Sequence, residues 1–531
     1  MNHSSIHLWT TTPELEQIVG RALQRSFSDS QVALSDSGST SSVPCRLVMA
    51  MDSCSTNLFS HAMADNVQPR KLVAFGPLDE TSAARIGLSL APGLPFAASD
   101  AIAKIAQVSP EAPVVTSADE SPLAIRYDRS HPLGSASPYL QRHFCRYDFY
   151  DEWNNLGYGR TGLGHGIWDL ACPAKANGAT VLAEVTWRGE ASGIVYTALF
   201  DEPDLSVLWF NRATGPVDGL DWAMVEAFFT DWRCAELPCN PCLLDIPYGY
   251  SGAVTMRLDC DQAIASARPL LELYRDRGVP LSLAVTTSLP MTGTDLAMIE
   301  QVNATRGAIV SHSHRHRENW GGSSQAAREE YRVSADWLQN STTASRPDLA
   351  VSPFHQNPLF AIEAIAEQGC NAFVSGVIHN DPEYLLARAG RVPFVDSPIV
   401  SMSQQCMLHG DCYHRRQKDG LEIFKTCFDQ YRSARGFFGY LDHPLSATYR
   451  YGWSDGAEQR DAHEAFLDHM QSCEGTWWAN LAEALDFVRR KSVTRLTLGA
   501  DDKVQSFSPE INNVPCPAIA YKQQLFQASR A

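Results

Sequence analysis

The chain has 531 residues, 44% of them hydrophobic and 19% charged, which is the profile of a globular protein with a length prior of about two to four domains. Its 43 Lys and Arg stand against 60 Asp and Glu, a net charge of −17 that excludes nucleic acid and anionic membrane as partners held by bulk electrostatics. No run of about 18 apolar residues occurs, so no membrane span is expected. The opening "MNHSSIHLWTTTPELEQIVG" lacks a basic stretch leading into an apolar one, so a cytoplasmic location is the expectation. The 14 scattered cysteines then read as reduced thiols rather than a disulfide framework.

In chain order, residues 28–44 are Ser-rich and predict a loop. Short apolar runs at 46–51, 71–76, 112–117, 178–185, 193–200 and 206–211 predict strands, and 221–232 a helix. Together they predict an N-terminal α/β layered domain over residues 1–245, similar in its succession to flavodoxin-like and amidotransferase-like domains. It lacks a GxCxG nucleophile elbow, so an accessory role is expected. "CAELPCNPC" (Cys234, Cys239, Cys242) fits no common four-ligand zinc spacing and reads as thiols. The Pro- and Cys-rich stretch 236–252 marks a boundary.

After it the alternation becomes regular. Strands are predicted at 253–258, 280–287, 308–311, 348–354, 371–376 and 436–443. Helices are predicted at 263–278, 295–307, 326–338, 358–369 and 477–491, leaving residues 496–531 as a tail. Strands alternating with helices imply parallel pairing in a barrel or doubly wound sheet, with chemistry at the carboxyl ends of the strands. Asp259 and Asp261 follow one such strand, His312 and His316 another, and His443 a third; "SPFH" (Pro353, Phe354, His355) follows a fourth.

His312 and His316 stand four apart, so on a helical turn both imidazoles reach one ion at about 2.0–2.1 Å, the zinc distance. A carboxylate from another strand end completes a site that leaves positions open for water and substrate. Of two aspartates at one strand end, one can bind the metal and the other act as a base. The blander alternatives are a solvated turn for the histidines, a turn or helix cap for the aspartates and simple packing for His443. His314, two residues from each presumptive ligand, points elsewhere. Trp320, Trp453, Trp477 and Trp478 read as packing before sugar stacking.

Residues about 253–495 resemble the polysaccharide deacetylase (NodB-homology carbohydrate esterase) family. "AVTMRLDCDQ" stands where that family has its first Asp motif. "HSHRH" matches H-[ST]-x-x-H through His312, Ser313 and His316, and "LDH" matches L-x-H through Leu441 and His443. The D-x-D spacing differs from the adjacent pair of most members, and Val351 stands where R-x-P-[FYW] has its arginine, with Pro353 and Phe354 retained. Arg257 or His355 is available as a substitute. The resemblance implies a distorted (β/α) barrel with fewer than eight strands. It implies a divalent metal, most often zinc, on Asp261, His312 and His316, with Asp259 as base, His443 as acid and Pro353, Phe354 and His355 at the substrate.

The expected activity is removal of N-acetyl groups from an amino-sugar polysaccharide or its precursor. The expected partners are an N-acetylated glycan and a second copy or a protein of an exopolysaccharide pathway. The rivals are hydrolysis of another amide, such as a peptidoglycan unit or cyclic imide, and a catalytically inactive glycan-binding module.

Overall fold

The computed structural model describes residues 6–34, 45–49, 56–64, 70–95, 123–143, 170–212, 220–343, 347–376, 388–415, 419–499 and 501–529. The predicted strand at 112–117 lies outside them.

The first sheet runs, edge to edge, Val32–Leu34, Ile6–Thr10, Cys45–Met49, Arg70–Phe75, Leu205–Phe210, Glu190–Glu202, Thr180–Trp187, Leu123–Tyr127 and Gln141–His143. Its strands are parallel from Val32–Leu34 through Leu205–Phe210 and antiparallel beyond. The parallel strands Arg70–Phe75 and Leu205–Phe210 are buried along their whole length, as strands covered on both faces must be. The Pro13–Phe27 helix starts on Thr12, whose hydroxyl accepts from the Leu15 amide at 3.2 Å, with Pro13 in the first turn where no intrahelical donor is needed. Val32–Leu34 corrects the expectation of a loop across 28–44. Three apolar residues suffice to pair with Ile6–Leu8 even within a Ser-rich stretch, and 35–44 lie outside the described residues.

The second sheet is a parallel ring. Gly252–Cys260 is flanked by Ser282–Val285, then Ile309–Ser311, Leu349–Val351, Ala372–Gly376 and Val400–Gln404; on its other edge lies Phe437–Asp442. The ring closes because Val400–Gln404 runs straight on into Cys406–Met407, which pairs with Phe437–Asp442. Gln405 sews the seam: its amide donates to the Gly439 carbonyl at 2.9 Å, and its side-chain oxygen accepts from the Gly439 amide at 2.6 Å. The result is a closed (β/α) barrel with fewer strands than the eight of the full type.

The closing strand falls in "SPIVSMS", which carries no readable strand signal. Val400 and Met402 join the cluster of Ala284, Val351 and Val374, while Ser401 and Ser403 between them are fully buried on the other face, where a strand covered on both sides ordinarily carries apolar residues. The predicted 477–491 helix is also corrected. Thr476–Ala479 is a strand paired with Gly252–Thr255, and the helix is Leu481–Val493, started by Asn480 and Glu483 in a reciprocal capping box. At the C-terminal end, Arg495–Leu498 pairs with Val504–Phe507. Pro517–Tyr521 lies between Gln524–Gln527 and Cys242–Pro247, the latter within the predicted inter-domain link. Among the described residues no helix is long and apolar enough to cross a membrane.

Candidate metal centre

Arg257, Asp259 and Asp261 alternate along one strand and its extension, so extended geometry turns all three to one side. Asp259 is buried, and Arg257 grips it with two bonds: Nε to Oδ1 at 2.7 Å and Nη2 to Oδ2 at 3.0 Å. Arg257 Nη2 also donates to Gln404 Oε1 at 2.8 Å, from the strand that closes the ring. Burial alone would raise the Asp259 carboxyl; the Arg257 guanidinium, then His312 and His443, more than offset this and hold it well below the usual carboxylate range. Of the two substitutes for the motif arginine that the sequence offers, Arg257 is the one bonded to Asp259.

Asp261 Oδ1 lies 3.1 Å from His312 Nε2 and 3.4 Å from His316 Nε2, and the two imidazole nitrogens are 3.1 Å apart. His312 Nδ1 is 3.0 Å from the Val351 carbonyl, an oxygen that can only accept. This fixes the proton on Nδ1 and leaves Nε2 as a lone pair facing the cluster. Asp261 Oδ1 is buried and receives no aligned hydrogen bond. Burial pulls His316 down to about 4, and the His312 charge adds to that. His312 is raised despite its burial, by Asp259 and Asp261. Tetrahedral ligands at about 2.0–2.1 Å from zinc stand about 3.3 Å apart, the spacing seen here. The three donors fit a divalent cation. Among the described residues this is the only group of three or more such side chains so placed.

The loop that brings His316 back to His312 needs left-handed backbone at Ser313 (φ 62°) and His316 (φ 51°), stabilised by the Ser313 hydroxyl accepting from the His316 amide at 2.9 Å. His314 points away, as its spacing predicts: its Nδ1 is 3.1 Å from Thr287 Oγ1.

His443 approaches from the far side, Nε2 3.5 Å from Asp261 Oδ2. Its ring stacks on Tyr451 at 4.0 Å and 9°, and its buried Nδ1 has no hydrogen-bond partner among the described residues. The backbone that carries it is pinned by Asp442. That fully buried carboxylate accepts from the His443 amide at 2.7 Å, Gln459 Nε2 at 2.7 Å, His463 Nε2 at 3.0 Å and Trp453 Nε1 at 3.1 Å. Behind His463 the chain of contacts continues to Tyr274 (2.8 Å) and Tyr440 (2.7 Å).

Of the predicted substrate residues, Pro353 and His355 are buried, and burial followed by the Arg257 charge pushes His355 down to about 3. Phe354 alone of the three reaches the surface, its ring 4.5 Å from that of His316. Trp320, Trp453 and Trp477 are buried and belong to the packing. Cys234, Cys239 and Cys242 are free thiols; Cys239 lies 3.1 Å from the buried Lys71 ammonium.

Sequence reasoning missed Gln404, Tyr451, Asp442, His463 and Gln459, and read Trp453 as packing without its bond to Asp442. Alternation in "RLDCD" was available as a signal for Arg257, and the adjacency in "DHP" for Asp442. Nothing local in the sequence points to Gln404 or Tyr451, which reach the site through the closure of the ring and the loop after His443.

No family model matches the chain, and no curated protein matches it. Solved structures that it is similar to include Agd3, described as a novel carbohydrate deacetylase, at 9% identity over 95% of this chain and 91% of that one, with a TM-score of 0.43. They also include the chitin deacetylase of the fungal pathogen Colletotrichum lindemuthianum, at 12% identity over 46% and 89% of the two chains, with a TM-score of 0.32. A third, Puue allantoinase, is similar at 13% identity over 46% and 93%, with a TM-score of 0.37. At these identities and scores, the chemistry of the centre rests on its own geometry.

Proposed function

We propose that the chain is a metal-dependent hydrolase that removes N-acetyl groups from an amino-sugar polysaccharide or its precursor. One observation carries the reading: a three-donor cluster on Asp261, His312 and His316, with a second carboxylate, Asp259, and a third imidazole, His443, at its sides.

Asp261, His312 and His316 would hold the cation, with zinc the expected ion for two imidazoles and a carboxylate. When bound, a divalent cation supplies Lewis acidity and makes water a nucleophile near neutral pH. Asp259 stays ionised because Arg257 holds it, so it is available to take the proton of the attacking water. Its low basicity is offset by fixed geometry, both oxygens being held by one guanidinium. His443, stacked on Tyr451, would deliver a proton to the leaving amine, the step that limits amide cleavage in the absence of an acid. Phe354 beside His316 and Tyr449, exposed beside Tyr451, offer apolar ring faces on either side, which suit the apolar face of a sugar.

The test combines metal analysis of the purified chain with acetate release from N-acetylglucosamine and N-acetylgalactosamine oligomers. Bound zinc with acetate release supports the reading. Bound zinc without acetate from any glycan transfers support to another amide or to a binding module, and absence of tight metal binding removes it. His443→Ala is expected to lower kcat by about 10²–10⁴-fold, the range for a general acid, with metal content unchanged.

A further inference from the structure

At the other end of the barrel, the amino end of the Phe437–Asp442 strand opens onto a small, half-open cavity. It lies where the Pro13–Phe27 helix of the first domain meets the Leu481–Val493 helix and residues 388–391 of the second. It shares no residue with the metal centre.

Its wall is basic in a chain of net charge −17. Arg21, Arg25, Arg388, Arg391 and Lys491 line it, against Asp29 and Asp245. Glu226, behind the wall, binds Arg388 at 3.0 Å and Arg25 at 3.5 Å. Counting Glu226, five cations face three carboxylates among the described residues. The inner charges are tied together: Asp245 takes Arg388 Nε at 2.7 Å and also the Lys491 ammonium. The outer two are not. Arg391 meets only the half-exposed Asp29, at 3.2 Å. Arg21 bonds the Gln24 amide oxygen at 3.1 Å and has no carboxylate at salt-bridge distance among the described residues. Arg21 sits below its ordinary pKa, from burial first and then from the Arg391 charge, with Asp29 restoring part of it. Like charges held together in a half-closed space are a standing cost that a counter-ion removes. Opposite the arginines the lining is apolar: Phe437, Phe487 and Val488.

We propose that this cavity binds a dianionic tetrahedral oxyanion of the phosphate class between Arg21 and Arg391, beside the apolar side chains of Phe437 and Phe487. Arg21 and Arg391, which share the single half-exposed Asp29 among the described residues, are the pair left to meet an anion. Guanidinium forks are suited to bidentate contact with phosphate oxygens. Because the wall comes from both domains, an occupant bridges them and binds the folded arrangement alone. The proposal is independent of the reading of the metal centre.

The test is calorimetric titration of the full chain with inorganic phosphate and with phenyl phosphate, each against sodium chloride at equal ionic strength, alongside thermal melting. The expected result is saturable binding and a raised melting temperature for at least one phosphate. A free ion is the occupant if inorganic phosphate binds as well as the ester, and a phosphomonoester if phenyl phosphate binds more tightly over Phe437 and Phe487. The Arg21→Ala/Arg391→Ala double variant removes neither partner of the buried Asp245 and Glu226 pairs, so it is expected to fold and to bind at least tenfold more weakly. Effects no larger than those of sodium chloride, or a double variant that binds as the parent does, would overturn the proposal.

Discussion

His312 commits one ring nitrogen to the Val351 carbonyl, so its other nitrogen faces the cluster without a proton. Replacing it removes a donor and leaves the orphaned Asp261 oxygen without its nearest partner. His312→Ala is expected to lower bound metal at least tenfold, read by elemental analysis, with the far-ultraviolet circular dichroism retained. Arg257 carries the opposite kind of risk. Arg257→Met strands a buried carboxylate and is expected to cost about 3–5 kcal/mol in a urea titration, the range for breaking a buried pair from one side. At this scale the two histidines, two aspartates and His443 were legible, because four-residue spacing and strand ends are local features. Val351 was legible only as a departure from a motif; its use here is through its carbonyl, which any side chain would provide. Gln404 left no trace because its partner Arg257 is distant in sequence, and Tyr451, though close to His443 in sequence, because the loop that folds it back carries no periodic pattern.

Elements were legible where the pattern matched their environment. The helices Gly293–Ala304, Ser324–Ser341 and Leu359–Glu367 fall close to their expected places. The closing strand did not, because Ser401 and Ser403 are buried on a face where apolar residues are the rule. The double tryptophan of Thr476–Ala479 continued a helical period by chance, although Asn480 and Glu483 carry a start signal three residues later. That cap is a quantitative handle: Asn480 accepts from the Glu483 amide at 2.8 Å, and Asn480→Ala is expected to cost about 1 kcal/mol in the same urea titration. The Gln405 seam predicts more. Gln405→Ala leaves the buried Gly439 amide without its acceptor, at about 1–3 kcal/mol, with loss of metal affinity because Gln404 next to it holds Arg257.

For the whole molecule, the buried ion group of Asp245, Arg388, Lys491 and Arg25 sets the acid limit. Burial would raise Asp245, but Arg388, Lys491 and Arg25 outweigh it and leave the folded carboxyl well below its unfolded value near 4. A depressed carboxyl contributes stability that is complete above the unfolded pKa and is lost as pH falls through the folded one. The urea midpoint is therefore expected to decline below about pH 4, and Asp245→Asn to flatten that decline while lowering the plateau above it.

The joint was invisible in the sequence, which marks 236–252 as a link and nothing more. In the fold, Cys242–Pro247 finds its strand partner in Pro517–Tyr521, and Ile519 and Tyr521 are buried there. A segment in the middle of the chain thus waits on one near its far end. During synthesis both sheets can form while Cys242–Pro247 still lacks its neighbour, and its pairing is completed only after Pro517–Tyr521 has emerged.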